Sequence, residues 1–170
     1  IEAVSIVFML IAGCNFATHY VVLSGRSLRP YASDPEAGWF LLVTLGSVIG
    51  IAIFLDVHEF YPTFLEALRY SAFNVVSIAT TTGYANTDYA LWPFFAPLWM
   101  LFLSSFATSA GSTGGGIKMI RAIVLYKQVY RELTRAMHPS AVHPIKIGGA
   151  VVPSTILFAV LAFGFLYMVC

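Results

Sequence analysis

Long apolar runs alternate with short polar stretches along this chain, and the lengths of the runs predict membrane-crossing helices. The first run extends from about Ala3 to Leu23, interrupted by Asn15, Thr18 and His19. About 20 helical residues cross a bilayer core, so this run is long enough to span. Arg26 and Arg29 follow it, then a polar loop with Pro30, Asp34, Pro35 and Glu36. The second run, Gly38 to Leu55, is free of charge and ends at Asp56, His58 and Glu59. Pro62 suits the first turn of a third helix, which reaches Ser77 or Ile78. That helix carries Glu66, Arg69 and Asn74. At helical rise it covers about 24 Å, short of the ~30 Å core. Ala79, Thr80, Thr81, Thr82, Gly83 and Tyr84 then end it. Threonines before a glycine favour extended backbone.

A further apolar run, Trp92 to about Thr108, has Pro93 and Pro97 in its first turns. Trp92 and Trp99 are expected near the interface, where such rings are enriched. The stretch from Ser109 to Gly116 is hostile to helix. Helix resumes from Ile117 to Met137 with Lys118, Arg121, Lys127, Arg131 and Arg135. After a loop from His138 to Pro144, a last apolar run from Ile147 to Cys170 is again long enough to span.

Charge sets the direction of these crossings. Of nine Lys and Arg residues, two lie at 26–29, six at 118–146, and only Arg69 lies between. The positive-inside rule places both basic clusters in the cytoplasm. The runs at 38–55 and 92–108 supply the two crossings that connect them. A third crossing by residues 62–84 would put the clusters on opposite sides. That segment is therefore expected to dip in from outside and return, with Asp56 and Asp88 left on the outer face.

Composition agrees. Hydrophobic residues make up 59% of the 170-residue chain and charged residues 10%. A globular domain carries about 25% charged residues. The net charge of +1 implies no attraction to nucleic acid. Cys14 and Cys170, in apolar stretches, read as small hydrophobes. His138 and His143 lack metal-ligand spacing. No paired carboxylates, histidine cluster or activated nucleophile lies at membrane depth, so no enzyme is expected. The chain begins at Ile1 and stops at Cys170 inside an apolar run, which reads as a piece of a longer protein.

Helix, short re-entrant helix, extended Thr-Thr-Gly-Tyr, helix is the plan of a cation-selective pore. Irregular backbone at membrane depth is tolerated where it is buried in protein or lines water. Filter carbonyls can replace the hydration shell of potassium, and the negative end of the short helix favours a cation. The candidate filter is Thr80, Thr81, Thr82, Gly83 and Tyr84, with Thr81 and Thr82 as the carbonyl ligands of the ion. Read alone, a Thr-rich turn is an ordinary loop; its place after a non-spanning helix gives it the other reading. Gly111, Ser112, Thr113, Gly114, Gly115 and Gly116 form a candidate gate loop, flexible by composition. The alternative is a close helix-packing face. Phosphate binding fails on spacing, because Ile117 separates Gly116 from Lys118 and no strand precedes. Lys127, Arg131 and Arg135 are either a topology signal, a lipid-headgroup contact or a contact for a cytosolic regulator. Glu66 and Arg69 are expected to pair locally, and Asn15 and His19 to bond between helices.

Thr80 to Tyr84 resembles potassium-channel filters of the Thr-Val-Gly-Tyr-Gly kind, departing at Ala85. With the segment from Ala110 to Lys118, the basic stretch ending Arg135-Ala136-Met137-His138-Pro139 and the segment Gly13 to Tyr20, the whole chain resembles the Trk/Ktr family of bacterial potassium-uptake proteins. The resemblance implies an all-α, multi-pass protein of the bacterial inner membrane, with four non-identical repeats around one pore. Residues 1–23 are then the transmembrane helix ending one repeat. Residues 38–136 form a helix–pore loop–broken helix repeat, and 147–170 the transmembrane helix that begins the next. It also implies potassium as the ion, no organic cofactor, a homodimer, and a cytosolic nucleotide-binding regulatory subunit. A sodium-coupled symporter and a homotetrameric channel are the alternative functional readings.

Overall fold

A computed structural model describes residues 1–138, 145–147 and 150–169. His143, Pro139, Pro144 and Cys170, named above, lie outside the described residues. Among the described residues the fold is all-α apart from one small hairpin. Its elements are α1 (Glu2–Gly13), α2 (Phe16–Gly25), α3 (Arg29–Ser33), α4 (Pro35–Val57), α5 (Phe64–Ala79), α6 (Phe95–Phe106), α7 (Met119–Met137), β1 (Lys146–Ile147), β2 (Ala150–Val151) and α8 (Ser154–Val169). β1 and β2 pair antiparallel, Lys146 opposite Val151.

Among the described residues, α4 is the one helix long and apolar enough to cross a bilayer unaided. It starts earlier than its apolar run. Asp34 caps it by accepting from the Glu36 N–H at 2.9 Å, and Pro35 occupies its first turn. Leu42, Leu45, Ile49 and Ile53 are exposed on it, as a surface toward lipid or further helices requires. The opposite face packs on α5 and α6 through Ile51, Leu55, Val75, Val76, Met100 and Leu103.

α5 is the short helix of the central dip. Its 16 residues rise about 24 Å, as expected from the sequence. Thr63 caps its start. Eight of those residues are buried, because α1, α4 and α6 all pack against it.

Five expectations are corrected. The helix expected over 1–23 is two helices, bent by 99° at Cys14 and Asn15. Asn15 does not bond between helices there; its Oδ1 accepts from the Ala17 N–H at 2.8 Å and caps α2. His19 does bond between helices, reaching the Ile11 carbonyl of α1 at 2.8 Å and the Tyr31 hydroxyl on α3. The helix expected from Trp92 is delayed to Phe95 by the prolines and by a 3-10 turn, Tyr89–Leu91. Trp92 is consequently buried, donating to the Tyr61 hydroxyl at 3.2 Å, while half-buried Trp99 donates to Ser47 at 3.0 Å. Glu66 does not pair with Arg69. Arg69 reaches Glu2 on α1 instead, Nε to Oε2 2.6 Å, because α1 packs beside α5. The last helix begins at Ser154 rather than Ile147, after the hairpin and Pro153.

Candidate ion filter and the glycine-rich loop against it

The candidate filter hangs from the C-terminus of α5. Thr80 ends the helix, its N–H donating to the Val76 carbonyl at 2.9 Å and its buried hydroxyl to the same oxygen at 2.8 Å. Thr81 turns the chain with φ +57°, and Gly83 follows with φ +81°. The N–H groups of Thr82 and Gly83 both donate to the Ser77 carbonyl, at 2.8 and 3.3 Å. The expected extended backbone is therefore not what starts the segment: Thr80 and Thr81 belong to the turn that ends the helix, and Thr82 and Gly83 still bond back to Ser77. A β-branched residue at positive φ is an outlier, and such strain persists only where its surroundings over-determine it. Here they do: the Thr81 hydroxyl accepts from the Gly115 N–H at 2.8 Å. Thr81, Thr82, Gly83 and Tyr84 are exposed on this chain.

A polar network holds the far side of the filter segment. Asn86, two residues beyond Tyr84, accepts from the Asn74 amide at 2.7 Å and donates to Glu2 Oε1 at 3.3 Å. Glu2 is the partner of Arg69. The four side chains tie the exit of the filter segment to both α5 and α1. Asn74 and Arg69 are visible in the sequence only as polar residues on a short helix; the packing of α1 beside α5 brings them into one network.

The glycine-rich loop fills the break between α6 and α7. It is not the loosely held segment that its composition predicts. Its backbone is bonded into the bend between α1 and α2. The Ser109 N–H donates to the Gly13 carbonyl at 3.0 Å, Thr113 N–H to Ala12 at 3.3 Å, and Phe16 N–H to the Gly111 carbonyl at 3.1 Å. A broken helix leaves backbone groups without partners, and the two breaks satisfy each other. Within the loop, the Lys118 ammonium turns back to the Ser112 hydroxyl at 3.3 Å and to the Gly114 carbonyl. The loop is closely packed as well. A Cβ on Gly114 would meet Thr108 Cγ2 at 2.3 Å, and one on Gly116 would meet the Ser105 carbonyl at 2.4 Å. These glycines allow a folded-back crossing of the chain, with Gly116 set closely against the end of α6.

One acidic side chain joins this loop that sequence reading left in a polar stretch. Glu36, only 6% exposed, accepts with Oε1 from the Ala110 N–H at 3.1 Å and the Ile120 N–H at 2.9 Å. The available signal was its place after Asp34-Pro35, a cap pattern that begins α4 and turns Glu36 inward. Behind the loop, Cys14, Phe40 and Met119 form a buried apolar cluster, so Cys14 is a packing residue as expected.

The basic residues lie on α7, beyond the loop. Lys127 donates to the Lys146 carbonyl at 2.7 Å, Arg131 pairs with Glu132 at 3.3 Å, and Arg135 is exposed near the helix end. Their spacing of four places them along one face of α7.

A spanning helix, a short buried helix ending in a Thr-Gly turn, and a second helix broken at a glycine-rich loop together define a pore-loop unit of a membrane transport protein. The chain belongs to the TrkH family of cation transport proteins, whose family model matches residues 1–170. It is 44% identical to the Trk system potassium uptake protein TrkH of Salmonella typhimurium over 96% of this chain and 34% of that protein. To the Escherichia coli Trk system potassium uptake protein TrkG it is 33% identical over 98% of this chain and 34% of that one. The crystal structure of the potassium transporter TrkH from Vibrio parahaemolyticus superposes with a TM-score of 0.95 at 37% identity, covering 99% of this chain and 36% of that one. The chain thus spans about a third of the length of the curated relatives it matches.

Proposed function

We propose that this chain is part of a potassium-uptake protein of the bacterial inner membrane, supplying one filter segment and one intramembrane gate to a pore completed by further repeats. The observation that carries this reading is the contact of the two candidate elements: the Gly115 N–H of the loop bonds the hydroxyl of filter residue Thr81 at 2.8 Å. A loop placed directly against a filter, and continuous with a helix bearing basic residues, is suited to obstruct the ion path under external control.

In this reading residues 38–136 are one repeat, with 1–23 and 147–170 belonging to its neighbours. The carbonyls of Thr81 and Thr82, with those of Thr80, Gly83 and Tyr84, offer oxygens to potassium, which is cargo; no organic cofactor is involved, and the chain is not an enzyme. The α5 C-terminus adds its partial negative charge at the same place. Gly111 to Gly116 obstruct the pore at rest. Lys127, Arg131 and Arg135 contact a nucleotide-binding regulatory subunit of the TrkA/KtrA kind, and the membrane subunit is a homodimer in contact with lipid. The similarity to proteins named for potassium uptake supports the choice of ion. Rubidium uptake into vesicles holding the intact protein tests the reading. Uptake competed by potassium is expected; folded protein that carries neither ion would overturn it.

A further inference from the structure

We infer that Glu36 is the positioning residue that clasps the glycine-rich loop in its obstructing position. This inference rests on the reading of that loop as a gate. Glu36 lies in the first turn of α4, held by the Asp34 cap at 2.9 Å. Asp34 is itself fixed by the Thr18 hydroxyl of α2 at 2.8 Å. The carboxylate thus stands on a rigid support, outside the segment that it holds.

Its two partners lie at opposite shoulders of the loop. Ala110 precedes Gly111, and Ile120 is the second residue of α7. Helix starts leave their first N–H groups without intrahelical partners, and α7 has no side-chain cap of its own at Lys118. Glu36 supplies that cap from another helix, where a negative charge also suits the helix dipole. One oxygen therefore joins two points of the chain ten positions apart, and the intervening hairpin is the part that crosses toward Thr81.

Electrostatics gives the clasp a direction. Among the described residues the salt bridges are Arg69–Glu2 and Arg131–Glu132, and neither involves Glu36. The Lys118 ammonium is spent inside the loop. Two N–H groups of the loop region are thus the recorded partners of a buried carboxylate. Withdrawal of the loop removes at least one of them, and a buried charged acceptor stripped of donors is costly. The obstructing position is favoured by that amount.

The test measures rubidium flux per folded full-length protein with and without its cytosolic regulator, for Glu36→Ala, Glu36→Gln and a Gly111–Gly116 deletion. Glu36→Ala should raise regulator-free flux roughly tenfold, the scale on which losing bonds to a charged group shifts a two-state equilibrium. Glu36→Gln keeps the shape and an acceptor oxygen but not the charge, and should raise regulator-free flux by less than Glu36→Ala; a purely steric role would leave it at the parent value. If the deletion raises regulator-free flux and Glu36→Ala does not, the clasp is wrong and the gate reading stands. If the deletion raises nothing, the gate reading falls and the clasp falls with it. Should Glu36→Ala fail to accumulate, Glu36→Asp decides, since it retracts the carboxylate by one methylene: raised regulator-free flux supports the clasp and unchanged flux overturns it.

Discussion

Two residues of the proposed filter segment carry positive φ, and they reach it by different means. Thr81 is forced there and is held by Gly115. Gly83 adopts φ +81° with open space around its would-be Cβ, so the need for glycine at this position within the chain is one of backbone conformation, not of clearance. A side chain at left-handed φ costs about 1–2 kcal/mol. That is enough to alter carbonyl positions and change ion discrimination by roughly tenfold. Gly83→Ser should therefore lower potassium-over-sodium selectivity, measured as the ratio of rubidium to sodium flux through the intact protein. A folded variant with an unchanged ratio would remove Gly83 from the filter. The motif was legible in the sequence because Thr-Thr-Gly-Tyr is chemically distinctive. The turn at Thr80 and Thr81 was not, because it depends on a donor 34 positions away.

Elements were legible where hydrophobic pattern and caps agree, and misread where a tertiary partner satisfied the backbone. α4 and α5 fall close to their predicted places, since each has a strong start signal, Asp34-Pro35 and Thr63. The run from Ala3 to Leu23 keeps an apolar character long enough to read as one span across a 99° bend. Only Gly13 and Asn15 hint at the break, and what makes it affordable is the glycine-rich loop bonded into it. The dip of α5 bears on topology. With 16 residues it falls short of a full crossing, and it is covered by α1, α4 and α6. His58, at the end of α4, and Asp88, after the filter segment, are both exposed and should face the outside. Single cysteines at these positions are expected to react with an impermeant thiol reagent from the same, outer face. Buried Cys14 adds little background. Labelling from opposite faces would mean that residues between them cross the membrane, and the filter assignment would be lost.

At the scale of the whole molecule, the loop connects two bodies of different character. On one side are α1, α4, α5 and α6, sharing one apolar core around α5. On the other, α7 packs against α8 and the hairpin through Val124, Ile145, Leu157 and Val160. Arg121 lies 4.3 Å from the centre of the Phe163 ring, and Lys127 is tied to Lys146. Under the proposed function, a regulator pulling on the basic face of α7 would act on the loop at Lys118, with α8 moving along or being unpacked from α7. The loop's many bonds change what its glycines are for: they permit close crossing in one held conformation, and under the proposed gating its release requires work from outside. Deleting Gly111–Gly116 removes most of the glycine-rich loop together with its hold on Thr81 and on the bend between α1 and α2. The expected outcome is higher rubidium flux per folded protein and weaker dependence on the regulator. If the loop only packs two helices together, the deletion should instead lower flux and leave regulator dependence intact. Measuring both quantities on the same preparation separates these outcomes, because a loss of folded protein changes the amount of flux but not its ratio with and without the regulator.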